Sequence, residues 1–174
     1  MSKPDASAAL PIAHVVLRIL IVLNWLSGAA IAAILIATPN RQWIMSAFHL
    51  SPSPDAERLI AGLRGIAVLG LAAIPVHYVV LKRLLAIVDT VRAGDPFVPA
   101  NATRLREIAW ALLALQLLSV IIGTIVKAIS TPAHPLHIQA GFSISGWLAV
   151  LLTFLLARVF AEGTIMREDL EGTV

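Results

Sequence analysis

Four apolar runs, each close to or longer than the roughly 20 residues a helix needs to cross a hydrocarbon core, decide what this chain can fold into. They run from about Ile12 to Ala37, Leu59 to Leu81, Ile108 to Ile129 and Phe142 to Phe160. Lipid offers no hydrogen-bond partner to an open backbone, and four segments cannot close a barrel, so all four are expected to be helices. Composition agrees with a membrane setting: 59% of residues are hydrophobic, 13% are charged and the mean hydropathy is +0.89. Soluble domains average roughly 45–50% apolar residues. The expected fold class is therefore all-α, an integral membrane four-helix bundle. The first run is interrupted only by His14, Arg18 and Asn24 and is too long for the core of a secretory signal, so it is read as a helix of the mature chain. At 174 residues the chain holds one membrane domain, residues 1–174, with no room for a separate soluble one.

Orientation follows from lysine and arginine. The connection over 82–107 holds Lys82, Arg83, Arg92, Arg104 and Arg106, whereas Ser130 to Gly141 holds no lysine or arginine. The positive-inside rule places the basic loop in the cytoplasm, and an even number of spans places both termini there too. Lys3 and Arg18 at one end and Arg158 and Arg167 at the other agree with this; Arg41, Arg58 and Lys127 fall on the outer side. In the outer first loop, Trp43, Met45 and Phe48 suit a short segment at headgroup level. Ser53 followed by Pro54 reads as an N-cap with proline at the first helical position.

The stretch "VRAGDPFVPANATRLREIAW", Val91 to Trp110, is unusually specific for so repetitive a chain. Leu81, Leu84, Leu85, Val88 and Val91 recur at helical spacing opposite Lys82, Arg83, Asp89 and Arg92, so the second helix should continue as an amphipathic cytoplasmic extension. Gly94 is expected to end it in a left-handed conformation, and Pro96 cannot continue a helix. Phe97 is the one large apolar residue of the turn and is expected to tuck back under the bundle. Asn101 or Thr103 is expected to cap the third helix. The loop reads both as a structured re-entry with arginines snorkelling to headgroups and as a docking surface for another protein, and the two readings are compatible.

"AGDPFVPANATRLREIAW", taken with the C-terminal "ARVFAEGTIMREDLEGTV", resembles a bacterial family of small four-span membrane proteins catalogued as a domain of unknown function, number two-nine-seven-five in that series. The matching positions are Gly94, Asp95, Pro96, Phe97, Asn101, Arg104, Leu105 and Arg106 in the loop. In the tail, residues 161–174, they are Phe160, just before it, Gly163, Arg167, Glu168, Asp169, Leu170, Glu171, Gly172, Thr173 and Val174. The resemblance implies a bacterial cytoplasmic membrane and no established activity. Members are often encoded beside a small helix-turn-helix regulator, which implies that regulator as a partner.

Ionisable groups inside a membrane are functional candidates by default. Arg64 lies six residues beyond Arg58, about 9 Å deeper at 1.5 Å per residue. It could face a polar cavity together with Asn24 or snorkel outward. Arg18, Lys127 and Arg158 sit near span ends and read as anchors. His134 and His137 form "HPLH" without a third ligand in the sequence, and His14 with His77 could approach one another as haem ligands do; ordinary loop histidines are the simpler reading of the first pair and interfacial histidines of the second. Pro75 can kink the second span. Small residues at four-residue spacing, Gly28/Ala32, Ala29/Ala33 and Gly141/Ser145, suit close packing within the bundle.

The exclusions are broad. The absence of cysteine removes disulfides, thiolate metal sites and cysteine nucleophiles. The net charge of +3 is clustered by loop and gives no basic tract for direct nucleic-acid binding. The sequence offers no nucleophile–base constellation, no phosphate-binding glycine loop and no mid-depth carboxylate of the kind proton-coupled transporters use. The expected function is that of a non-enzymatic membrane interaction protein, without metal or cofactor, whose loop and tail bind a partner. An accessory subunit of a larger integral membrane complex is the first alternative. A small-solute transporter or channel is the second, and it lacks the internal repeat or oligomeric pore signature it would need.

Overall fold

A computed structural model describes residues 6–37, 54–130, 136 and 139–171, with side-chain surroundings for 9–36, 56–130, 136 and 139–166. The described residues form four helices: α1 (Ala6–Ala37), α2 (Pro54–Arg92), α3 (Pro99–Ile129) and α4 (Ile144–Glu171). All four contain a stretch long and apolar enough to cross a membrane. The chain is thus an all-α, multi-pass membrane four-helix bundle.

The helices outrun the apolar runs that predict them. α2 continues from its span through Arg92 as the amphipathic extension, and α3 begins at Pro99, so that residues 93–98 alone separate them. The 82–107 connection is therefore mostly helix. α4 runs to Glu171, which makes the start of the acidic tail a helical continuation and not an extended peptide. α2 opens on Pro54, where a missing N–H costs nothing. Ser53, the short segment around Trp43, Met45 and Phe48, the His134–His137 pair and residues 172–174 lie outside the described residues.

Close packing follows chain order, α1 on α2, α2 on α3 and α3 on α4, and every neighbouring pair is antiparallel. On α1 and α2, Gly28 meets Ile74, and Trp25 meets Tyr78 at 5.6 Å between ring centroids. On α2 and α3, Gly62 meets Ile129 while Arg83 reaches Glu107. On α3 and α4, Trp110 meets Phe154 edge to face at 5.3 Å, and Gln116 lies against Gly146. The start of α1, the 93–98 turn and the end of α4 consequently share one end of the bundle, called here the loop end. The start of α2 and the end of α3 share the far end, and the 139–143 segment lies inward of it against Ser119 and Gly123 of α3.

Burial is sparse, as expected where lipid takes the place of a polar solvent. One apolar cluster at the far end joins Ala56 and Leu59 to Leu63, Ile129 and Leu136. A second, near the loop end, joins Leu105, Ile108 and Ala157 to Leu84, Ile87 and Phe160, so it draws on α2, α3 and α4 together. α1 buries Gly28 alone among its described side chains. A close backbone approach lies further in, where Ala140 and Gly141 sit directly on α3. A Cβ at Gly123 would stand 2.5 Å from the Gly141 Cα. Ser119, one turn earlier on the same face, fixes that segment by donating to the Gly141 carbonyl at 3.3 Å and accepting from its N–H at 3.2 Å.

Candidate functional site

The loop end is built on a helix stop that sequence chemistry dictates. Gly94 takes φ +89°, a left-handed conformation natural to glycine. The Asp95 N–H then bonds the Thr90 carbonyl at 3.1 Å and the Gly94 N–H bonds that of Val91 at 3.1 Å. This is the paired closure of a Schellman motif, which satisfies two carbonyls the end of α2 would otherwise leave open.

Entry into α3 corrects one expectation. The N-cap is Val98, in an extended conformation and without a side-chain cap bond, and Pro99 occupies the first position. Asn101 therefore sits inside the first turn, where its own N–H bonds the Val98 carbonyl at 2.8 Å, and Thr103 lies further in. Proline's fixed φ starts the helix, which releases the asparagine side chain for other bonds.

That side chain is fully buried. Its Nδ2 donates to the Thr90 hydroxyl and to the Pro96 carbonyl, both at 2.8 Å, and its Oδ1 accepts from Arg104 Nη1 at 2.7 Å. Both amide hydrogens and the carbonyl are thus used. Thr90 in turn donates to Ile87 at 2.8 Å, and Arg104 also donates to the Ala86 carbonyl at 3.3 Å. The network joins the last turns of α2, the 93–98 turn and the first turns of α3. Arg83 and Glu107 brace the same two helices further in, through an Nη2–Oε1 bond of 3.2 Å and a second contact from Nε to Oε2.

The other two helices attach to this lock from either side. Phe97 stacks on Phe160 of α4 with ring centroids 5.4 Å apart, and its edge lies beside Gly163, where a Cβ would come within 3.5 Å of it. The phenylalanine does tuck back against the bundle, yet it remains 45% exposed. On α1, His14 Nδ1 lies 2.9 Å from Asp89 Oδ1. All four helices therefore meet around one turn.

The positions singled out from the sequence divide into two groups. Asn101 and Arg104 work inside the lock, so Asn101 cannot itself meet a partner. Gly94, Phe97, Arg92 and Arg106 are exposed, as are Ile165 and Met166 on the adjoining face of α4; Asp95 and Pro96 are half-buried. Residues 167–171 continue α4, and their side chains lie outside the described surroundings. Asn24 and Arg64 do not come together: Asn24 donates to the Ile74 carbonyl at 3.1 Å, ten residues and about 15 Å along α2 from Arg64. Nor do His14 and His77 pair. His14 sits beside Asp89 while His77 donates from Nδ1 to the Ala73 carbonyl at 2.9 Å, which separates their levels by about 18 Å. No group of three or more His, Asp or Glu converges among the described residues.

Sequence reading misses the Thr90–Asn101, Arg83–Glu107 and His14–Asp89 pairs. The residues involved are ordinary in type, and no spacing rule links positions 14 and 89. Gly123 with Ser119 is likewise missed, although a small residue one turn beyond a serine on an apolar helix signals a close approach.

A family model described as a protein of unknown function (DUF2975) matches residues 43–174. The matched region contains α2, α3, α4 and the whole lock, while α1 with His14 precedes it. No curated protein and no solved structure matches the chain.

Proposed function

The chain belongs to this family of proteins of unknown function, and from that premise we propose that it is a non-enzymatic interaction protein of a bacterial cytoplasmic membrane. Its loop end docks a cytoplasmic partner, and both termini lie on that side. The partner is a small soluble regulator with a helix-turn-helix domain, held at the membrane by the exposed turn and the α4 extension.

The observation that carries the reading is the Phe97–Phe160 contact. It joins the turn and the C-terminal helix, the two most distinctive stretches of the sequence, into one surface, and it leaves Phe97 half out of the bundle. A partly exposed aromatic ring on a rigid support is the usual anchor of a protein interface. Arg92 and Arg106, in the last turn of α2 and near the start of α3, are exposed cations at the same end, suited to steering a partner of opposite charge or to resting on anionic headgroups. The concentration of lysine and arginine at this end supports its cytoplasmic placement.

A second reading has its own observation. α1 presents apolar side chains on nearly every face, among them Ile12, Val15, Ile19, Val22 and Leu26, each more than half exposed. Such a helix suits contact with an integral partner, as an accessory subunit would have. Retention of partners on the intact chain beside one lacking residues 167–174, in mild detergent with mass spectrometry, separates the two. A soluble DNA-binding protein lost with the tail supports the proposal; integral subunits retained by both chains overturn it in favour of the second reading.

A further inference from the structure

The seam between α1 and α2 is held at two levels towards the loop end. His14 Nδ1 lies 2.9 Å from Asp89 Oδ1, and the rings of Trp25 and Tyr78 stand 5.6 Å apart. Between these contacts each helix carries one exposed cation, Arg18 on α1 and Lys82 on α2. Arg18 follows His14 by four residues and precedes Trp25 by seven; Lys82 follows Tyr78 by four and precedes Asp89 by seven. Each cation therefore shares a helix face with the residues that make the contacts. Measured from the His14–Asp89 pair, Arg18 lies about 6 Å and Lys82 about 10.5 Å along the axis, an offset of about 4.5 Å. That offset is shorter than either side chain.

Depth and charge say what such a pair would meet. Residues 19–37 of α1 and 65–81 of α2 contain no lysine, arginine or carboxylate. These stretches put Arg18 about 29 Å from the end of α1 and Lys82 about 27 Å from Arg64, close to the roughly 30 Å of a hydrocarbon core. Both cations thus stand at one edge of the core, beside the phosphate layer, and the Trp25–Tyr78 pair lies just inside, where amphipathic rings are favoured. Lys82 Nζ rests 5.7 Å from the centre of the Tyr78 ring. No aspartate or glutamate occurs in α1 or in residues 58–88 of α2, and Asp89 is engaged by His14. Among the described residues neither Arg18 nor Lys82 has an ion-pair partner.

We propose that this seam binds the headgroup of an anionic phospholipid of the surrounding bilayer, its phosphodiester held between the Arg18 guanidinium and the Lys82 ammonium. A guanidinium meets phosphate oxygens through two parallel bonds and an ammonium adds a point charge; basic sites between membrane helices select lipids in this way. A zwitterionic head would bring its own ammonium up to the same two cations. The acyl chains lie on exposed apolar side chains of α1 such as Val22 and Leu26. The proposal needs only the register of α1 on α2 and does not rest on docking by the turn.

The test uses the full chain in mild detergent with equimolar phosphatidylglycerol and phosphatidylcholine of identical acyl chains, read by native mass spectrometry. One phosphatidylglycerol per chain should be retained in several-fold excess over phosphatidylcholine. Arg18→Gln with Lys82→Gln should lower that excess several-fold. Lys127→Gln with Arg158→Gln removes two exposed cations away from the seam, the second already paired with Glu162, and should leave the excess unchanged. Arg18→Lys with Lys82→Arg keeps both charges and should keep most of it. Equal retention of the two lipids, an unchanged excess in the Arg18 and Lys82 double variant, or an equal fall in the Lys127 and Arg158 variant would each overturn the proposal. Either single substitution at Arg18 or Lys82 should lose part of the excess, and no loss in either would overturn the proposal even where the double variant fails to accumulate.

Discussion

Asn101 donates to the Thr90 hydroxyl at 2.8 Å from a position with no exposed surface, and this bond joins the end of one membrane helix to the start of the next. Its value lies in what removal would strand. In Asn101→Ala the Pro96 carbonyl loses its donor, and Arg104 loses its side-chain acceptor. Buried polar groups left unpaired cost roughly 1–3 kcal/mol, so the variant should lose about 2–3 kcal/mol against unfolding in a mixed-micelle titration. Arg106→Ala, exposed and outside the network, should stay within about 0.5 kcal/mol of the parent. Equal stability of the two variants would show that the lock is dispensable.

Two glycines should fail for different reasons. At Gly94 a Cβ would meet nothing within 4 Å, but φ is +89°, so Gly94→Ala should cost about 1–2 kcal/mol through the backbone alone. Gly94→Asn should cost less, because asparagine tolerates that conformation. At Gly123 the backbone is helical and the added carbon would stand 2.7 Å from the Ala140 carbonyl oxygen. Gly123→Ala must therefore displace the segment leading into α4, at about 1–3 kcal/mol, and Asn there should be worse than Ala. The opposite order of Ala and Asn at the two sites, measured by thermal unfolding in detergent, is the discriminating result.

What the sequence discloses is local, and what it hides depends on register. The spans are legible because crossing lipid demands a run of apolar residues, a property of one segment at a time. The Gly94 turn is legible for the same reason: glycine, then proline two residues on, ends a helix wherever it stands. Asn101 shows the limit, since asparagine near a helix start suggests a cap, while Pro99 two positions earlier already opens the helix and moves Asn101 inside. Its pairing with Thr90 then depends on how α2 and α3 lie side by side. Arg64 and Asn24 show it again, because both are polar residues within apolar runs, yet the antiparallel register of α1 and α2 sets them at different depths.

Arg83 and Glu107 offer a test of that register. The two side chains are 40% and 39% exposed, so the pair should contribute no more than about 1 kcal/mol. Arg83→Glu sets two carboxylates side by side and should destabilise by about that amount. The double variant Arg83→Glu with Glu107→Arg should recover most of the loss, and raised salt should narrow the difference between the single variants and the parent. Failure of the swap to recover stability would mean that the pairing does not hold α2 against α3.

The docking proposal depends on which side of the membrane the lock faces, and the composition makes that directly measurable. The chain contains no cysteine, so a single introduced thiol is the sole target for a maleimide. Thr103 is exposed at the loop end, and Ala128 is exposed in the last turn of α3 at the far end. In intact bacterial cells whose outer envelope admits the reagent, a membrane-impermeant maleimide should label Ala128→Cys at once and Thr103→Cys only after the inner membrane is opened. The reverse pattern would place the turn, with Phe97 and Arg106, outside the cytoplasm and end the case for a soluble regulator as partner.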